Sequence, residues 1–257
     1  MIGRIGVAAA LLFCLSVPPA AGQVRKFEIE AAYSEWTLAP FHPLLESRTE
    51  DAVREAFRDA LGSSVLGSIL TPLATSAKFG GSSGRSISAT VWMRIGKSRF
   101  SVGLRADAFS FRLPFTIDAR ETVSILGIPL AEIDGRSSGT VHVRGLGGSV
   151  LGRWLAVRTR RFDLALAAGL TIFPYEGPID QDIEAGIRTP LGDATISGPY
   201  DMTIDQVRRW SGRVPTAIIS PSAAVTARYW LAESAGISAS LTASQGVFIS
   251  GGLFFAF

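Results

Sequence analysis

The feature that most constrains this chain is a hydropathy alternation of period two, sustained across whole segments. In Arg99 to Ser110, Phe100, Val102, Leu104, Ala106 and Ala108 alternate with Ser101, Gly103, Arg105, Asp107 and Phe109. Arg161 to Phe173 repeats it: Phe162, Leu164, Leu166, Ala168, Leu170 and Ile172 oppose Arg161, Asp163, Ala165, Ala167, Gly169 and Thr171. Successive side chains of a strand point to opposite faces, so each segment is a strand with one apolar and one small or charged face. Both faces are therefore in use.

The same pattern, less cleanly kept, predicts eight strands at about 25–37, 86–96, 99–112, 138–157, 161–173, 218–231, 235–243 and 246–257. Residues 120–130 and 183–197 have strand character too, as hairpin arms above a membrane, and if they cross it the count becomes ten. Short polar turns at 96–98, 158–160 and 232–235 alternate with long connections at roughly 113–137 and 174–215. Outer-membrane barrels have this rhythm, with short turns on the periplasmic side and long loops outside. No later run reaches the roughly 18 apolar residues of a membrane helix, so any membrane passage is by strands.

Residues 1–22 have the build of a secretory signal. Arg4 is followed by an apolar run from Ile5 to Val17, Pro18-Pro19 breaks it, and Ala20-Ala21-Gly22 supplies small residues before cleavage near Gly22/Gln23. The lone cysteine, Cys14, falls inside that run, so residues 23–257 form a single disulfide-free domain. Charge is near balance and scattered, which disfavours nucleic acid as a partner.

One segment has another period. Ser47-Arg48-Thr49-Glu50 reads as a capping box, followed by Val53, Ala56, Phe57, Ala60 and Leu61 at helical spacing. This predicts an amphipathic helix at about 47–62, between strands one and two, stopped by Gly62 and serving as lid or brace. The glycine- and serine-rich 80–86 beyond it reads as a flexible connector, since it lacks the lysine of a phosphate loop.

In the last strand Val247, Ile249, Gly251, Leu253, Phe255 and Phe257 share one face. A terminal Phe preceded by apolar residues at every second place resembles the insertion signal of bacterial outer-membrane proteins. Together with the signal segment and loop rhythm, the chain resembles a small outer-membrane β-barrel protein of the OmpA-transmembrane, OmpW or lipid A deacylase size class. The resemblance implies an all-β, closed antiparallel transmembrane barrel in a Gram-negative outer membrane. It also implies lipid and lipopolysaccharide as surroundings, the barrel assembly machinery as a partner during biogenesis, and Leu253, Phe255 and Phe257 as the assembly signal. Closure requires residues 25–37 to pair with 246–257, which is also what lets the last strand end without a polar tail.

The inward set then comprises Glu28, Glu30, Arg94, Arg105, Asp107, His142, Arg144, Asp163 and Arg228. Acidic and basic members balance, as expected of an ion-paired network filling a narrow lumen. The role this supports is structural, a narrow channel, or a site for a small apolar ligand. A lipid-modifying acyl hydrolase would need a nucleophile and base, yet no Gly-x-Ser-x-Gly elbow is present and His42 and His142 are the only histidines. No catalytic residue, metal site or cofactor is assigned. A soluble secreted β-sandwich that binds a partner remains the other architecture compatible with the alternation.

Overall fold

The computed structural model describes residues 26–61, 74–125, 128–211 and 214–257. The expected signal segment at 1–22 and the expected stop at Gly62 lie outside them. In chain order the strands are β1 (Phe27–Thr37), β2 (Ala74–Phe79), β3 (Ser83–Arg94), β4 (Phe100–Ile125), β5 (Ile128–Arg158), β6 (Phe162–Pro174), β7 (Pro178–Thr189), β8 (Gly192–Thr203), β9 (Ala217–Trp230), β10 (Ala235–Ala243) and β11 (Val247–Ala256). Helix α1 (His42–Leu61) follows β1 after a single 3-10 turn, and α2 (Ile204–Ser211) follows β8.

Every ladder is antiparallel. Pairing runs β4–β3–β1–β11–β10–β9–β6–β5, and β4 also pairs with β5. The succession of ladders therefore returns on itself through eight strands. The first strand pairs with the last from Glu28 opposite Ala256 to Thr37 opposite Val247. Beyond that ladder, the Phe27 N–H donates to the Phe257 carbonyl at 3.0 Å and the Phe257 N–H donates back at 2.9 Å.

Within this ring the hydrophobic pattern is inverted relative to a water-soluble protein. On β3, Ser86, Ser88, Thr90 and Trp92 are buried, whereas Ile87, Val91 and Met93 are exposed. Leu104, Val150, Leu170, Ile219 and Ile249 are likewise exposed around the outer wall. A continuous apolar surface of this kind marks an interaction site or a non-aqueous environment.

Two long connections expected from sequence are strands. The upper parts of β4 and β5 continue as one hairpin past the ring, β2 pairs with β4 from Phe115 to Arg120, and β7 pairs with β5 from Glu132 to Val141. With β8 on β7, this makes a projecting sheet in the order β2–β4–β5–β7–β8. There the alternation continues: Phe115, Ile117 and Ala119 on β4 oppose Thr116, Asp118 and Arg120, and Ile179, Ile183 and Ala185 on β7 oppose Asp180, Asp182 and Glu184, with Phe115 and Ala77 buried. Residues 120–125 thus end β4 and 128–130 begin β5, and 183–197 fall on the β7–β8 hairpin.

The helix also differs from its expected start. It begins at His42, with Pro43 in the first turn, where a missing N–H costs nothing. Ser47 therefore lies inside the helix, and no capping box operates there. Instead Glu50 Oε1 accepts the Ala77 N–H and Glu46 Oε1 accepts the Phe79 N–H, both at 3.1 Å. The helix covers the edge of β2 and satisfies donors that an edge strand otherwise leaves open.

Candidate functional site

The interior of the ring is filled in three tiers. Nearest the Phe27–Phe257 end, four charged side chains from four strands meet. Glu28 Oε1 accepts from Arg153 Nη1 at 2.6 Å and Glu28 Oε2 accepts from Arg228 Nη2 at 2.6 Å. Arg228 Nη1 lies 3.9 Å from Asp163 Oδ2, which accepts the Trp230 indole N–H at 2.8 Å. Arg228 is 1% exposed, and the other three are buried as well. Burying an ion costs several kcal/mol unless it is paired, and here two carboxylates and two guanidiniums cancel. Trp92 lies under the Arg153 guanidinium at 4.2 Å and Phe254 under that of Arg228 at 4.0 Å, so cation–π contacts close the remaining faces.

Above this cluster is a chamber of about 70 Å³ lined by hydroxyls, among them Ser88, Thr90, Ser149 and Thr171, and by the rings of Trp36, Trp92, Phe109, Phe173 and Phe248. Glu30 stands at its side, accepting from Trp92 Nε1 at 3.3 Å and from Ser238 Oγ at 2.6 Å. Arg105 Nη2 pairs with Asp107 Oδ1 at 2.6 Å along β4. Small hydroxylated residues leave room for a few waters and offer them partners.

The third tier is aromatic. Trp36, Phe109, Phe111, Phe173 and Phe248 form one buried cluster, with Trp36 stacked on Phe111 at 4.4 Å and on Phe248 at 5.0 Å. Gly84 makes this possible: a Cβ there would fall inside the Trp36 indole. Trp36, Phe109, Phe173 and Phe248 of this cluster also line the chamber.

Of the residues expected in the lumen, Glu28, Asp163 and Arg228 are brought together, and Glu30, Arg105 and Asp107 line the chamber above them. Arg94 lies at the mouth below, in a pocket it shares with Lys26, Lys97 and Arg158. His142 and Arg144 are not inside. They face outward above the ring, where His142 Nε2 lies 3.2 Å from Asp180 Oδ2 and Arg144, 72% exposed, pairs with Glu176 at 3.3 Å. The cause is parity on β5: Val143 points in and packs against the aromatic cluster. Shifting a strand by one residue exchanges its faces, so placing Arg144 inward on β5 also hid Arg153, which the opposite parity would have found.

Ser82, expected in a flexible connector, is almost fully buried. Its Oγ accepts the Leu38 N–H at 2.9 Å and lies 3.2 Å from His42 Nε2 and 3.0 Å from Thr37 Oγ1. These bonds fasten the connector to the start of α1. Among the described residues no group of three His, Cys, Asp or Glu side chains is placed to hold a metal. Leu253 and Phe257 lie on the outer wall, and Phe257 stacks on Phe27 at 6.4 Å between centroids.

Cyclic pairing, an apolar outer wall and a polar interior occur here together. The architecture is an all-β antiparallel sheet with cyclic strand pairing, the arrangement that small β-barrels have. Among solved structures, the chain is similar to the attachment invasion locus protein Ail of Yersinia pestis, with 8% identity, covering 91% of this chain and 98% of that one at a TM-score of 0.29. It is similar to the transport unit of the autotransporter AIDA-I from Escherichia coli, with 7% identity, 99% and 97% coverage and a TM-score of 0.27. An outer membrane channel from Pseudomonas putida F1 gives 8% identity, 94% and 100% coverage and a TM-score of 0.27. No protein-family model and no curated protein matches the chain. The scores are low, and the architecture stands on the chain's own strand pairing.

Proposed function

We propose that this protein is a closed eight-stranded barrel of a Gram-negative outer membrane, exported with cleavage near Gly22/Gln23, whose role is structural: a sealed scaffold carrying a sheet outside the cell. Supporting the membrane placement is the band of exposed apolar side chains around the ring, which costs nothing against hydrocarbon. Supporting the orientation is the contrast between the tight turns at one end and the projecting sheet at the other. Barrel assembly machinery and outer-membrane lipid, including lipopolysaccharide, are its partners in this reading.

The observation that carries the sealed scaffold over a channel is the interior. An ion cluster and an aromatic cluster close it in series, and the chamber between them holds water-sized guests rather than an apolar ligand. Single-channel recording on protein in planar bilayers is expected to show no unitary steps. Reproducible steps from wild-type protein would favour the channel instead. Unchanged lipid composition on expression is expected as well, and new deacylated species would restore the acyl-hydrolase alternative.

A further inference from the structure

The outer wall carries a feature that the sealed scaffold does not use. Cross-strand registers set the outward residues of β1, β3, β4 and β5 in horizontal rows. Tyr33, Ile87, Ala108 and Leu146 make one row, and Glu35, Arg85, Ser110 and Arg144 the row directly above. Below the first lies a row of small residues, Ala31, Ala89, Ala106 and Gly148, and below that Ile29, Val91, Leu104 and Val150. Strands are spaced about 4.8 Å apart. Arg85 and Arg144, two strands apart, therefore stand roughly 10 Å from each other across the small Ser110.

The result is a groove of about 530 Å³ in the wall, with Arg85 and Arg144 at its top, Ala108 and Ser110 as its floor and Ile87 and Leu146 as its sides. It opens downward onto the row of small residues. Glu176 pairs with Arg144 through Nε and so holds that side chain at the groove. Arg112, one row higher and opposite His142, is a third arginine of this rim, which also carries the carboxylates of Glu35, Glu176 and Asp180.

Two guanidiniums above a trough of alanine and glycine match an amphiphile whose anionic headgroup sits directly over its acyl chains. Arginine forks bind phosphate through paired N–H donors, and a trough lined by methyl groups and a glycine lets a chain lie close to the backbone. We infer that the outer wall of β3, β4 and β5 binds a phosphorylated, acylated lipid of the outer leaflet, with its phosphate between Arg85 and Arg144 and an acyl chain along Ala108, Ala106 and Gly148. This rests on the membrane placement proposed above and adds a defined lipid site to it.

The test uses the full chain in detergent micelles, titrated with bisphosphorylated lipid A and followed by native mass spectrometry. One tightly bound lipid is expected, with affinity about tenfold or more weaker in the Arg85→Ala/Arg144→Ala double variant, as charge-assisted bonds of this kind are lost. Ala106→Phe, which fills the trough without changing charge, is expected to weaken binding too. Arg120→Ala/Arg188→Ala removes equal charge from the projecting sheet and is expected to leave binding unchanged. Equal binding of dephosphorylated lipid A, unaltered affinity in the double variant, or competition by inorganic phosphate at concentrations near that of the lipid would each overturn the site. Heat-modifiable gel migration of every variant reports the barrel separately. Lost binding by an intact barrel counts for this site, whereas a wild-type protein that never shows the shift counts against the membrane reading itself.

Discussion

Glu28 and Arg228 lie 200 residues apart in the chain and meet at 2.6 Å inside the ring. Glu28 is on the strand that opens the barrel and Arg228 on one of the last three to be made, so this bond forms only when the ring closes. Removing the carboxylate leaves Arg153 and Arg228 buried with one acid between them. Glu28→Gln is expected to destabilise the barrel by about 3 kcal/mol, the cost of an uncompensated buried charge. Urea-induced unfolding in detergent checks this, and an unchanged midpoint would show that water reaches the guanidiniums.

On the proposed reading the ion cluster and the aromatic tier close the interior in series. Glu28→Ser/Arg153→Ser removes one acid and one base and keeps the Arg228–Asp163 pair, while Trp36→Ala removes the centre of the aromatic tier. Each is expected to stay electrically silent in planar bilayers, and their combination to conduct. Conductance from either one alone would show that a single tier carries the seal.

Gly84 and Trp36 are coupled by shape. Gly84→Val is expected to cost about 2 kcal/mol through overpacking against the indole. Trp36→Leu in the same chain is expected to recover part of that loss. A double-mutant cycle on unfolding midpoints reads the coupling, and strictly additive effects would mean the indole yields freely.

Helix α1 should protect the β2 edge. Glu46→Ala/Glu50→Ala removes both acceptors, and the Ala77 and Phe79 amides are expected to exchange with deuterium several-fold faster, as bonds worth about 1 kcal/mol each are lost. Exchange at wild-type rates would place their protection elsewhere.

Phe257 is expected to matter more for assembly than for the finished fold. Phe257→Ala should lower the amount of barrel inserted in cells while protein refolded in detergent keeps a midpoint near that of wild type. Equal losses in both would make its stacking on Phe27 the whole of its contribution.

What could be read from the sequence followed the alternation. Around the ring the period of two is kept residue by residue, and the all-β antiparallel class, the tight turns and the outward face of the last strand were legible for that reason. On the projecting sheet the alternation persists, as in Phe115, Ile117 and Ala119 against Thr116, Asp118 and Arg120. Residues 113–137 nonetheless read as a long connection, whereas β4 runs on to Ile125 and β5 begins at Ile128.

The interior was legible only as a composition. Alternation along single strands predicted balanced charges inside the ring, and Glu28, Asp163 and Arg228 were among them. Which acid meets which base depends on how strands remote in sequence are staggered, and that is decided by pairing. On β5 the chain alternates on both sides of the membrane boundary but with Val143 inward and Arg144 outward, so local pattern alone chose the wrong face and missed Arg153. The sequence by itself thus determined that this chain forms strands with one apolar and one polar face. Tertiary structure alone decided which charges are buried together, because a buried ion is tolerable only beside its partner, and partners are brought together by closure of the ring.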